Sequence, residues 1–338
     1  MTLNSMILQD HGSGGLLSKE LLDKVIIPKL SAVYLGKMED SGIAPLMGDN
    51  IALTTDSFVV DPIIFGNGDI GKLSICGTIN DLAVSGAIPK YLTLSLILEE
   101  GLPVEQLTRI LDSICKTCQE ANVHILAGDT KVVRKGEADK IYINTAGIGF
   151  FPNERKALTL SNIKAGDDII VTGFVGNHGV HILSFRDGLG FENKVLSDCA
   201  PLNLVIEEIL VKYGTNIHYM RDMTRGGLGC IFNEIASEIS LGMHLEESSI
   251  PMQYETVMAA EMLGIDPIYL ANEGNICIFC DPSVSESLIA TLRNYDYTKQ
   301  AKVCGSVKNN GTIDVCINGQ DGARVISYLQ GKQLPRLC

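Results

Sequence analysis

Cys338 is the last residue of the chain and closes the segment Gly331-Lys332-Gln333-Leu334-Pro335-Arg336-Leu337-Cys338. A thiolate is a strong nucleophile and can carry an acyl-type group. Eight extended residues reach roughly 27 Å. Gly331 can hinge and Pro335 stiffens the end. The segment therefore reads as a flexible arm that could bring a group bound to Cys338 into a site. Arg336 beside the thiol would lower its pKa, and the α-carboxylate would raise it. The sequence leaves that balance open.

Acidic residues beside glycine form a second set. Asp49 and Asp56 flank the apolar run in GDNIALTTDSF, and Asn80-Asp81 stands in CGTINDLAVSGAIP. Asp129 and Lys131 lie in AGDTKVV, Asp222 opens DMTRGGLG, and Glu273 stands in LANEGN. Carboxylate oxygens are hard donors that suit Mg²⁺, an ion that usually shares phosphate oxygens as well. Neighbouring glycines let a phosphate approach backbone N–H groups. Thr224-Arg225-Gly226-Gly227 and His11-Gly12-Ser13-Gly14-Gly15, each ahead of a helix, are anion-binding candidates on the same grounds. Taken singly, such a spot is usually a turn or a cap. Six of them in one chain point to Mg²⁺–nucleotide chemistry.

Other patterns carry less. Gly66-Asn67-Gly68-Asp69-Ile70-Gly71-Lys72-Leu73 matches GxxxxGK, but Leu73 stands where a phosphate loop needs Ser or Thr. Cys115 and Cys118 fall at helical spacing with Leu107, Ile110, Leu111 and Ile114, so they read as core thiols. Cys277 and Cys280 lie in an apolar strand, where i and i+3 point to opposite faces. Neither pair looks like half of a zinc site.

The elements that must position these residues follow from pattern and length. At 338 residues, two domains are expected. Strands and helices alternate through both halves, so each half reads as one sheet packed with helices. The boundaries read as an N-terminal Gly-rich segment and helix over 1–40, a first domain over 41–152, a second over 153–330 and the tail over 331–338. Pro152-Asn153-Glu154-Arg155 is the connector. Net charge is −13 and Trp is absent. This argues against nucleic acid and anionic membrane as partners, which need a basic face. No apolar run approaches a membrane span, and the N-terminus lacks the pattern of a secretory signal. Ten cysteines without that signal suggest reduced thiols in the cytoplasm.

In their order along the chain, GDNIALTTDSF, NDLAVSGAIP, AGDTKVV, RDMTRGGLG and LANEG resemble one superfamily of ATP-dependent enzymes. It includes aminoimidazole ribonucleotide synthetase and selenophosphate synthetase, and the resemblance covers roughly residues 8–338. GDTKVV and the PRLC terminus are similar to the HypE family of hydrogenase-maturation carbamoyl dehydratases within it. Leu337 replaces the usual Ile, Ser13 interrupts the glycines after His11, and Asn50-Ile51 replace the middle of the first acidic cluster.

The resemblance implies a two-domain PurM-like fold of the α/β class (α+β in some schemes). Each domain would be a mixed sheet packed with helices, followed by a flexible tail. It implies a homodimer that uses ATP and Mg²⁺, takes a carbamoyl group from the carbamoyltransferase HypF, and serves the HypC–HypD complex. The reaction would dehydrate an S-carboxamide on Cys338 to a thiocyanate, the source of a cyanide ligand for nickel–iron hydrogenase. Carried over by position, Asp49, Asp56, Asp81 and Asp222 would hold metal. Gly12, Gly14, Gly15, Asp56, Asp81, Asp129, Thr224, Arg225 and Gly226 would hold nucleotide. Cys338 would carry the substrate, with Lys131 and Glu273 moving protons at its nitrogen. Asn80 would position the carboxamide or cap a helix. A selenophosphate synthetase would carry Cys or selenocysteine in the first glycine loop, and here no Cys precedes Cys76. A non-catalytic carrier would have no use for the nucleotide motifs.

Overall fold

The computed structural model describes residues 6–8, 11, 20–34, 50–152, 154–224, 226–327 and 336–338. Gly12, Gly14, Gly15, Asp49, Arg225 and the expected hinge at Gly331 lie outside the described residues. Helix α1 is α-helical at Glu20 and Leu21, widens to a π turn over Leu22–Ile26 and returns to α-helix over Ile27–Leu30. Pro28 has no N–H to offer the carbonyl one α-turn back. The wider turn ends with Ile27 N–H donating to Leu22 O, and α-helix resumes around the proline. Val25, Ile26 and Leu30 are buried, so the apolar stripe still faces the core.

The first sheet contains β1 (Ile51–Phe58), β4 (Ile88–Glu99), β5 (His124–Val133) and β6 (Ile141–Phe150) in the order β1-β6-β4-β5. Only β4 and β5 run parallel. Helix α3 (Val104–Ala121) makes that crossover. Its buried face includes Leu107, Ile110, Leu111, Ile114 and Cys118, as the spacing predicts. Helix α2 (Ile70–Val84) packs across β1 and β6. Gly147 permits the close approach, since a Cβ there would meet Thr78 Cγ2 at 2.8 Å and Leu82 Cδ1 at 2.9 Å. A small hairpin, β2 (Ile64–Phe65) with β3 (Gly68–Asp69), leads into α2. Here lies the GxxxxGK look-alike. Asp69 Oδ1 accepts from Gly71 N at 2.8 Å and Lys72 N at 3.0 Å, so the helix start is capped by its own carboxylate.

The second half forms a seven-stranded sheet. Its strands are β7 (Asp168–Val171), β8 (Ile217–Asp222), β9 (Gly242–Glu246), β10 (Ile276–Cys280), β11 (Lys302–Lys308), β12 (Val315–Gly319) and β13 (Gly322–Ile326). The order is β13-β12-β9-β11-β7-β10-β8. Helices α4 (Asn177–Asp187), α5 (Asn203–Tyr213), α6 (Gly227–Ile239), α7 (Tyr254–Leu263) and α8 (Ser285–Leu292) complete the domain. Strand β10 is buried throughout. Cys277 and Phe279 join the apolar cluster that includes Leu228, Phe232 and Ile235 of α6. Ile276, Ile278 and Cys280 join the opposite one, with α5 and α8. A strand covered on both faces is a continuous apolar run, and the two cysteines point apart as expected.

Both domains are mixed sheets packed with helices. They meet along α2 and the chain just before α5. Asn203 Nδ2 donates to Ala121 O at 2.8 Å, and Arg155 in the connector pairs with Glu207 at 2.5 and 2.9 Å. No helix among the described residues is long and apolar enough to cross a membrane.

Candidate active site

Helix α2 presents two working faces between the domains. Thr78 and Asp81 face β1, where even-numbered residues point inward. Thr78 Oγ1 donates to Asp56 Oδ2 at 2.8 Å, and Thr54 Oγ1 donates to Asp81 Oδ2 at 3.0 Å. Lys72, Cys76 and Asn80, spaced four apart, face residues 198–202 of the second domain. Asn80 Nδ2 donates to Ala200 O at 3.0 Å, and its Oδ1 accepts from Leu202 N at 2.8 Å. Both ends of that amide hold the domains together. The Asn80 amide is thus committed to the domain joint, where its Oδ1 meets the N–H of Leu202 at the N-terminal end of α5.

From the second domain come Asp222 at the end of β8 and Glu273 in the loop before β10. Asp222 lies opposite Ile276 in the sheet. The Glu273 loop is pinned on both sides. Asn272 Oδ1 accepts from Gly176 N at 2.8 Å, and Asn275 Oδ1 accepts from Gly173 N at 2.8 Å and Thr172 Oγ1 at 2.9 Å. Asp198 takes the Glu273 and Gly274 N–H groups at 3.0 and 3.3 Å. A Cβ on Gly274 would lie 1.8 Å from Asp198 O, so glycine is required for this contact. Asn272, Asn275 and Asp198 act on the site only through the fold. The sequence offered one signal for them: two asparagines around an acid in LANEGN.

Electrostatics link these groups. Burial, then the charges of Asp222 and Asp56, raise Asp81 to about 7. Asp222 is also raised, chiefly by burial, against the hydrogen bond from Thr224. Glu273 is 4% exposed, and Oε1 has no hydrogen-bond partner. Burial leads in pushing it well above the carboxylate range, followed by Cys199, Asp198, Asp222 and Asp81. This is a carboxyl group of high proton affinity with an unused oxygen. Among the described residues, no three His, Cys, Asp or Glu side chains gather closely enough to hold a metal unaided.

Asp129 and Lys131 stand apart from this cluster. Both lie within β5, not in a turn, and point to the outer face of the first sheet. Lys131 Nζ bonds Asp129 at 2.7 and 2.8 Å and is 64% exposed. Strand β5 lies three strand spacings from β1, roughly 14 Å. Within one chain, Lys131 and Glu273 are not brought together. Asp129 also borders a cavity of about 160 Å³ lined by Gly128, Thr130, Ile125 and apolar residues of α1. Gly226 and Gly227 have positive φ of 74° and 57° at the start of α6. A Cβ on Gly227 would meet Ile268 O and Leu270 O at 2.5 Å. These glycines turn the chain beside Asp222 and seat α6.

The terminus is docked. Val59 N donates to Cys338 O at 3.1 Å and Asp61 N to Arg336 O at 3.3 Å. Val59 follows Asp56 by three residues, about 10 Å along a strand. Leu337 is buried. Arg336 donates to Val59 O at 2.8 Å and to Asp139 at 2.5 Å. Of the arm, the described residues 336–338 are hydrogen-bonded to the first domain.

Residues 38–151 match the family described as AIR synthase related protein, N-terminal domain, and residues 164–317 its C-terminal domain. A carbamoyl dehydratase HypE of Rhizobium leguminosarum bv. viciae is 37% identical over 99% of this chain and 96% of its own length. The chain belongs to the HypE family. A solved HypE in complex with ATP superposes with a TM-score of 0.93 at 40% identity, over the whole of both chains. HypE from a HypE–HypF complex superposes at 0.79 and 38% identity, covering 94% of this chain and 100% of that one. This HypE-family chain therefore carries the family fold through both of its sheets, with the Cys338 end at the domain that bears Asp56.

Proposed function

We propose that this chain dehydrates a carboxamide carried on Cys338 to a thiocyanate, using ATP, and so supplies cyanide for assembly of a nickel–iron hydrogenase. The observation that carries the reading is the docked Cys338 end, close along the strand to Asp56 and its carboxylate partners. The closely similar HypE binds ATP. A carboxamide oxygen is a poor leaving group, and its phosphorylation makes it a good one. The oxygen attacks the γ-phosphorus as ADP leaves. Expulsion of phosphate from S–C(=NH)–O–phosphate then gives S–C≡N, and both nitrogen protons are lost on the way. Glu273 takes one of these protons: its raised proton affinity and open Oε1 suit that task.

Asp56, Asp81 and Asp222 are hard donors whose mutual repulsion favours a cation. They would hold Mg²⁺ together with phosphate oxygens, where the ion would neutralise phosphate charge. An ion that keeps waters and phosphates needs no closed protein cage, which agrees with the donors being spread out. Asp129 and the cavity beside it offer a slot for the nucleotide base. Thr224, Arg225 and Gly226 near Asp222, with Gly12, Gly14 and Gly15, would serve the phosphates.

Lys131 acts from a second subunit. The outer face of the first sheet exposes Ile51 at 52%, Leu53 at 70% and Ile97 at 38%. Among the described residues, β1 and the latter half of β5 are open edges. Open edges and an apolar face call for cover. A homodimer through this face would bring Lys131 of the partner subunit toward the Asp56 edge. HypF would load the thiol, as the HypE–HypF complex of a relative supports, and HypC–HypD would receive the cyano group. All ten cysteines are free, which suits the cytoplasm.

The test is mass spectrometry of the carbamoylated protein. Adding ATP and Mg²⁺ should remove one water from the terminal peptide, with release of phosphate. Selenophosphate formation from ATP and selenide would overturn the assignment.

A further inference from the structure

His178 is used by none of the steps above, yet it touches the carrier segment. It lies in the first turn of α4 and is fully buried. The turn before it is set by Gly176, whose N–H is held by Asn272 beside Glu273. Nε2 of His178 lies 2.7 Å from Leu337 O, and Nδ1 lies 2.8 Å from Ser197 Oγ. A carbonyl only accepts, so Nε2 carries the proton and Nδ1 accepts from the Ser197 hydroxyl. Ser197 Oγ in turn accepts from Cys199 N at 3.1 Å. The relay is complete with a neutral imidazole. Burial depresses the ring pKa to about 4 and keeps it neutral near pH 7.

The terminal carbonyls alternate in direction. Those of Arg336 and Cys338 face Asp61 and Val59, while that of Leu337, between them, turns toward α4. The first domain thus holds the last three residues from one side and His178 from the other. Because Leu337 is buried, loss of the histidine donor would leave its carbonyl without the partner it has here. His181, one turn along, does not share this task, since its Nδ1 faces Val195 O at 2.7 Å.

We propose that His178 is a positioning residue, a latch that donates from Nε2 to the Leu337 carbonyl and holds the Cys338 thiol in its docked place. This deepens the carrier reading of Cys338 and rests on it for its meaning. Its test needs neither ATP nor a carbamoyl group, so the two can fail separately.

The experiment alkylates the full-length protein with iodoacetamide and follows the Lys-C peptide Gln333–Cys338 by mass spectrometry. His178→Phe keeps a ring but loses the donor, and should raise the Cys338 labelling rate by roughly ten-fold or more. His178→Gln keeps a donor near the Nε2 position and should label within about two-fold of the wild type. A packing role alone would not separate the two variants in this way. Equal labelling of wild type and His178→Phe overturns the latch, and so does equally fast labelling of both variants. Should His178→Phe not fold, Ser197→Ala carries the test. It removes the hydroxyl that fixes the tautomer, so labelling should rise several-fold, and an unchanged rate overturns the proposal.

Discussion

Glu273 combines deep burial, a high proton affinity and an oxygen with no partner. Glu273→Gln keeps the shape and loses the base. The variant should still accept a carbamoyl group on Cys338, but ATP-dependent loss of water should slow by about 10²–10⁴-fold. Single-turnover mass spectrometry checks this, and a normal rate would remove Glu273 from the proton path. Asp81 gives a pH prediction. Its pKa moves from 3.8 to about 7, so over that window the folded chain keeps a proton that the unfolded chain has released. Stability from this group is present at low pH and is lost as pH rises through about 7. A cation favours the charged form. The rise in melting temperature with Mg²⁺ should therefore be larger near pH 8 than near pH 6. Asp81→Asn should abolish that difference.

Helix α2 is the element that joins the two halves of the site, with Asp81 on one face and Asn80 on the next. Asn80→Ala leaves the Leu202 N–H and the Ala200 carbonyl without their partner and should cost about 1–3 kcal/mol. Urea unfolding measures this; a change near zero would show that the joint is held elsewhere. Much of the element pattern was legible in the sequence. Helices α3 and α5 carry clear apolar periodicity, and β10 is an unbroken apolar run. Strand β9 is only five residues long, and α7 exposes Tyr254, Met258 and Met262 on one stripe. Both therefore lack the contrast between faces that periodicity reads. The pattern reads as a strand over 123–129 with Lys131 in a loop beyond it, because Gly and Asp usually end a strand in a turn. The strand instead continues to Val133, because β4 supplies a ladder partner that far. For the site, the residue types could be read but their faces could not. Asn80 and Asp81 are neighbours in sequence and point to different partners. His178, Ser197 and Asp198 carry no motif, since their roles come from contacts between distant segments.

At the scale of the molecule, groups from both domains of one chain meet at the site, and the proposed homodimer would add Lys131 from the partner chain. Placement of Lys131 on the outer sheet face makes this testable. Mixing Lys131→Ala subunits with Glu273→Ala subunits should restore about a quarter of wild-type activity, because half the dimers are mixed and each mixed dimer has one intact site. If both residues acted from one chain, no mixture would recover. The central claim is that Cys338 carries the substrate rather than merely ending the chain. The most direct measurement is phosphate release from ATP after the loading reaction, comparing the wild type with Cys338→Ala. Release should occur only with carbamoylated Cys338, one phosphate for each thiocyanate formed. Equal release by the alanine variant would contradict the account.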